Sequence, residues 1–186
     1  MELLDIRNEQ GECIGIAKER KLVHRDGDLH GTSHVFIIRN RNGVWELLLQ
    51  KRADNKDSFP GCYDISSAGH IPSGQDYLES ALRELEEELG IKASADDLTD
   101  IGIHRGYSEE IFYGEAFKNN EISHVYLYQK HINENDLYLQ EEEISAVKWF
   151  SIEECIQAVR RKDPRFCLFE DELMMIKDSG LPCMET

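Results

Sequence analysis

The segment from Gly69 to Ile91 constrains this chain more than any other. Residues from about Asp76 to Leu89 read as a helix, stopped at its C-terminal end by Gly90. At roughly 100° per residue, Leu78, Ala81, Leu82, Leu85 and Leu89 share one arc, which must face a core. Glu84, Glu87 and Glu88 are spaced i, i+3 and i+4, so they gather on a stripe beside that arc. Three like charges so close repel one another and destabilise the helix in isolation. One reading is a solvated acidic face. The other is a hard-cation site: oxygen ligands on one face suit Mg²⁺ or Mn²⁺, which offset the repulsion. Glu79 and Glu86 point elsewhere and read as solvent-facing.

The flanking pattern predicts strands around this helix. Residues 3–7 and 13–18 flank Asn8-Glu9-Gln10-Gly11 as a β-hairpin. Residues 19–33 are polar and read as mostly loop. Val35–Ile38 and Trp45–Gln50 are strand runs, with Asn40-Arg41-Asn42-Gly43 turning between them. Residues 52–63 read as a loop and Tyr63–Ala68 as a short strand closed by Gly69. Further strands are expected at Ile101–Gly106, Ile111–Phe117, Ser123–Lys130 and Ala146–Phe150. Ser151, with Glu154 in the capping-box position, starts a helix to about Arg161, and Phe166–Lys177 reads as a C-terminal helix. Strands and helices interleave without regular βαβ alternation, which predicts an α+β sandwich, a mixed sheet flanked by helices.

The length of 186 residues suits one domain, expected over 1–186, with the hairpin at 1–22, the glycine-bounded segment at 69–91 and a last helix at 166–178. With 21 Lys and Arg against 37 Asp and Glu, the net charge of −16 argues against a nucleic-acid polymer as partner, because a phosphate backbone would be repelled. It does not argue against small phosphorylated ligands, whose charge a divalent cation screens. No run approaches the roughly 18–20 apolar residues that span a bilayer, so no membrane association is expected. The acidic start Met1–Asp5 is unlike a secretory signal. Five scattered cysteines (Cys13, Cys62, Cys155, Cys167, Cys183) without a CxxC pair predict a reduced, cytoplasmic chain.

Gly69, five residues, Gln75, seven residues, then Arg83-Glu84-Leu85-Glu86-Glu87-Glu88-Leu89-Gly90-Ile91 resembles the Nudix box at eight of its nine specified positions. The departure is Gln75, where that family has Glu. The resemblance implies an α/β/α sandwich and metal-dependent hydrolysis of a small organic or nucleoside diphosphate. It implies Mg²⁺ or Mn²⁺ held by Glu84, Glu87 and Glu88, with Arg83 orienting them. Gly69 would permit a tight strand-to-loop turn. The base that takes a proton from water is implied to be Glu84, or an acidic residue beyond the box such as Glu143 in Gln140–Ile144. Gln75 carries no charge, so reduced rather than absent metal binding is expected.

The flanks resemble the branch that contains isopentenyl-diphosphate isomerases, through Asp28-Leu29-His30, Leu49-Gln50-Lys51-Arg52, Phe59-Pro60-Gly61 and Gly69-His70. This resemblance implies a second metal position at His24, His30, His70 and Glu121, and diphosphate-binding cations at Arg20, Arg52 and Lys56. A salt bridge from Lys56 to Asp54 or Asp57 is the plainer alternative. The isomerase's catalytic cysteine falls on Ala68 and one of its carboxylates on Asn119, which opposes isomerisation. His104, His124 and His131 call for no role. Loops 52–63 and 107–120 are expected to shape substrate choice. Trp149, Phe59, Tyr63 and Tyr113 are candidates either for stacking on a base or for the core. Three functions remain open: hydrolase, allylic diphosphate isomerase, and a non-catalytic nucleotide- or protein-binding module. The oligomeric state is unreadable.

Overall fold

The computed structural model describes residues 2–180 apart from Asp57 and Tyr113; these two, with Cys183, lie outside the described residues, as does Met1. The strands are β1 (Leu3–Arg7), β2 (Cys13–Glu19), β3 (His30–Arg41), β4 (Val44–Arg52), β5 (Tyr63–Asp64), β6 (Ser67–His70), β7 (Leu98–Phe112), β8 (Glu115–Tyr128) and β9 (Ile144–Ser151). The helices are α1 (Arg20–Asp26), α2 (Tyr77–Leu89), α3 (Ile152–Arg160) and α4 (Glu170–Asp178).

The centre of the sheet is β3. It runs parallel to β8 on one side, and on the other its outer half pairs with β4 and its inner half with β6, both antiparallel. The fork where β4 leaves and β6 arrives is bridged by Ser66, whose hydroxyl accepts from Ile37 N–H and donates to the Leu48 carbonyl. Successive side chains of a strand face opposite ways, and both faces are covered. Phe36, Leu47, Leu49, Val125 and Leu127 pack under Ile156 of α3 and Leu173 and Ile176 of α4. Val35, Ile37, Leu48 and Tyr126 pack under Ala81, Leu85 and Leu89 of α2. This is the expected α+β sandwich with a mixed sheet.

Local chemistry accounts for most element ends. Asn42 and Gly43 take positive φ of 53° and 82°, as a two-residue hairpin requires. Asp76 caps α2 through Glu79 N–H at 2.7 Å, and Gly90 ends it at φ 70°. The capping box at Ser151 and Glu154 is present.

Several sequence expectations differ from the structure. Residues 20–26 form α1, because Val23 is fully buried in a small cluster with Leu4 and Ile6 and Gly27 ends the turn in the left-handed region. One buried apolar residue in a charged run leaves too little periodicity to read. The strand expected at Ile111–Phe117 instead spans the tip of the β7–β8 hairpin, so 107–120 is mostly paired strand rather than loop. The last helix begins at Glu170, since residues 166–168 run beside β5, with Cys167 N–H donating to the Tyr63 carbonyl.

Candidate active site

A cavity of about 460 Å³ opens at the sheet fork. One wall is α2. Glu88 is 6% exposed, and its Oε2 lies 3.3 Å from the Ala68 N–H and 3.5 Å from Gln50 Nε2. Burial pushes the Glu88 carboxyl up to about 8. Glu84 is raised for the same first reason, while Glu87 stands at the rim. Arg83 spans the stripe, 2.8 Å from Glu84 Oε1 and 2.9 Å from Glu87 Oε2. Thus the bland reading of a solvated face fits Glu86 and Glu79 but not Glu84 or Glu88.

Gly69 serves this wall differently from the expected turn. It lies inside β6, paired with Ser33, and its φ is not in the left-handed region. A Cβ there would sit 2.3 Å from the Glu84 carboxylate, so the missing side chain is the space Glu84 occupies. Gln75 does not line the cavity; its Oε1 accepts from Ser80 Oγ at 3.4 Å.

The end of α2 also delivers the residues beyond it. The carbonyls of Leu89 and Glu88 accept from Tyr138 and Gln140 N–H at 3.1 and 3.0 Å, satisfying groups that a helix end leaves open. This brings Gln140 and Glu143 to the cavity edge. Lys56 pairs with Glu143 rather than with Asp54. Arg52 is held by Asp64 at 2.9 Å and by Ser58, and Arg20 pairs with Glu2 at 3.0 Å. All three cations line the cavity, each with a carboxylate partner. Phe59 lines it too, as do Ser108, Phe117 and Asn119 of the β7–β8 hairpin. Trp149 packs against the core beneath Arg39, and Tyr63 packs on Phe150 and Phe166.

The opposite wall brings together three histidines from α1, β3 and β6. His24 Nε2 and His70 Nε2 are 3.1 Å apart, and the His24 and His30 ring centroids are 4.9 Å apart. His30 Nδ1 donates to the Asp28 carbonyl at 3.0 Å, leaving a buried Nε2 without a partner. Burial lowers all three pKa values, that of His24 to about 3 with help from His30 and Arg20. Neutral imidazoles with inward nitrogens are competent metal ligands. Glu121, buried on β8, pairs in register with His30.

Beneath this wall lies a second buried group that the sequence did not single out. His34 Nδ1 is 2.6 Å from Glu172 Oε1, and His104 Nδ1 is 3.6 Å from the same oxygen. Burial by itself would lower the His34 pKa, but the Glu172 carboxylate overrides it and holds the imidazole up at about 9. The only sequence hint was period two: His30, Thr32 and His34 share a strand face. His104, read as needing no role, is almost fully buried here.

A mixed sheet between helices, with a glutamate-bearing helix packed against a glycine-containing strand, defines the class of fold. The NUDIX domain model matches residues 29–169, and the chain belongs to the Nudix hydrolase family. It is 42% identical to Nudix hydrolase 3 of Arabidopsis thaliana over 171 residues, 91% of this chain but only 22% of that protein's length. It is 29% identical to the isopentenyl-diphosphate Delta-isomerase of Rhizobium rhizogenes over 176 residues, 93% of this chain and 80% of the other. The crystal structure of DR0079 from Deinococcus radiodurans superposes with a TM-score of 0.67 at 19% identity, covering 99% of this chain and 100% of that one, a likeness of fold. No helix among the described residues is long and apolar enough to cross a membrane.

Proposed function

We propose that the chain hydrolyses a small organic or nucleoside diphosphate with the help of Mg²⁺ or Mn²⁺. The observation that carries this reading is one cavity with buried carboxylates on one wall and Arg20, Arg52 and Lys56 around it. The donor set fits the ion: burial raises the Glu88 carboxyl and also that of Glu84 despite its ion pair with Arg83, and oxygen donors suit a hard cation. Glu84, Glu87 and Glu88 would hold it, and a bound divalent cation there supplies charge neutralisation at the phosphate oxygens.

The chain's own residues do the rest. Arg52, fixed by Asp64 and Ser58, offers its remaining N–H groups to a phosphate oxygen, and Arg20 and Lys56 add positive charge. Arg83 orients Glu84 and Glu87 by ion pairs. Glu143 exchanges Lys56 for an attacking water and takes its proton; Glu84 is the other candidate base. The convergence of His24, His30 and His70 favours a second metal position beside the first, as in the isomerase branch. Ala68 and Asn119 line the cavity where that branch has its thiol and a carboxylate, and neither transfers a proton, so we assign hydrolysis rather than isomerisation.

The test is incubation of the full chain with Mg²⁺ and a panel of nucleoside diphosphates linked to sugars or nucleosides and of allylic diphosphates. Mg²⁺-dependent phosphoanhydride cleavage is expected. Isomerised product, or thermal stabilisation without turnover, would replace this reading by an isomerase or by a binding module. Turnover undiminished in EDTA would remove the metal from it.

A further inference from the structure

We propose that His34, His104 and Glu172 form a second kind of metal site, for a borderline transition ion such as Zn²⁺, distinct from the glutamate stripe and adjoining the His24–His30–His70 wall, whose Glu121 lies 3.9 Å from His34 Nε2.

The three residues come from β3, β7 and α4, far apart in sequence, yet their ligand atoms lie within 4.8 Å of one another and all three are buried. Two buried polar atoms of this group have no hydrogen-bond partner: His104 Nδ1 and Glu172 Oε2. Orphaned polar atoms in a protein interior cost stability unless something satisfies them. The tautomer of His104 sharpens the point. Its Nε2 lies 3.0 Å from Asp171 Oδ2, which favours the proton on that nitrogen. The Nδ1 lone pair is then left facing the Glu172 carboxylate at 3.6 Å, a repulsive contact that a cation between them reverses.

This is the arrangement of a ligating histidine whose far nitrogen is held by a carboxylate, with Asp171 as the positioning residue. Two imidazoles and one carboxylate favour zinc-like ions over Mg²⁺ or Ca²⁺, which prefer all-oxygen shells. Of the three residues, His34 also lines the cavity, together with Phe169 beside it. Binding displaces the proton that His34 Nδ1 now shares with Glu172 Oε1, and that proton leaves to solvent. The ion would tie the start of α4 to the sheet, over the core face that Leu173 and Ile176 complete.

The experiment uses the full chain, freed of metal, loaded with Zn²⁺ or Co²⁺, and passed through a desalting column before elemental analysis. Stoichiometric retention is expected, with Co²⁺ giving ligand-field bands of a low-coordinate nitrogen–oxygen site. The double variant His24→Gln/His70→Gln should keep the ion, whereas His104→Gln should lose it. Asp171→Asn, an exposed change that keeps every proposed ligand, should weaken affinity about tenfold to a hundredfold and serves where His104→Gln folds poorly. Anomalous scattering at the zinc edge from wild-type crystals locates the ion without any variant. No retained transition ion in the wild type, or an ion lost with His24 and His70 but kept in His104→Gln, overturns the proposal. In the first case His34 and Glu172 are a proton-sharing ion pair and nothing more.

Discussion

The two walls of the cavity are built in different ways. The acidic wall is little more than one turn of one helix, Glu84 to Glu88, whereas the histidine wall collects His24 from α1, His30 from β3 and His70 from β6. Burial acts on both and in opposite directions, raising the carboxyls and lowering the imidazoles, because each group is driven toward its uncharged form. The bare site therefore resists its own charge on both walls. The difference is what each must give up to take a cation: Glu88 must shed a proton near neutrality, and the histidines are already free of theirs.

Substitutions on the two walls should separate this contrast, beginning with the largest effect. Glu88→Gln removes a charge that only a cation compensates, so Mg²⁺-dependent turnover should fall by roughly a hundredfold or more, several kcal/mol of transition-state stabilisation, with Glu87→Gln close behind. His70→Gln should cost less in the same assay. Equal losses would mean that both walls hold the same essential ion.

Gly69→Ala comes next. The new methyl meets the Glu84 carboxylate, which must move, and a displacement of that order costs up to about a hundredfold in kcat. Melting temperature should change little, because Glu84 is the flexible side chain that yields. A variant with unaltered kcat would show that the position of Glu84 is immaterial.

A smaller effect is expected in stability against pH. With the Glu88 carboxyl at about 8 when folded and near its usual 4.5 when unfolded, the unfolded chain binds fewer protons between those values. Metal-free wild type should thus lose stability, relative to Glu88→Gln, as pH rises from about 4.5 to 8, and Mg²⁺ should reverse the loss. Denaturant midpoints of both proteins across that range measure it. A difference that stays flat would mean that Glu88 ionises normally.

Gln75→Glu should do least. The side chain faces Ser80 and stays outside the cavity, so its added charge acts through solvent, for no more than about 0.5 kcal/mol, roughly a factor of two in the Mg²⁺ needed for half-maximal rate. A larger drop in that requirement would mean that the loop turns this position inward when metal binds.

Legibility followed the distance in sequence over which each feature is encoded. The acidic helix, its stop at Gly90 and its core face are written within one segment, and the structure reproduces them, with Asp76 acting as the cap rather than the first helical residue. So are the Asn42-Gly43 turn and the Ser151 capping box. Helix α1 was missed because its single buried apolar residue gains its partners only from β1. The outer part of the β7–β8 hairpin, 107–120, reads as a loop with one short strand because residues such as Tyr107 and Ile111 remain exposed and leave no burial pattern. The partners of the cations were invisible as well: Lys56 meets Glu143, 87 positions away, only after the end of α2 has turned the chain back.

Local periodicity and spacing alone determined that three glutamates share a stripe beside an apolar arc, and that strands and helices interleave around it. Only the tertiary structure decided which of those glutamates is buried, since that depends on Gly69 yielding its side-chain space to Glu84 across β6. It likewise decided the charge of the histidines. His30 and His34 lie on one strand face four residues apart, yet burial keeps the first neutral while a carboxylate 2.6 Å away, from a helix 138 residues further on, keeps the second protonated. Burial and through-space charge set a group's protonation state, and neither is a property of its sequence neighbours.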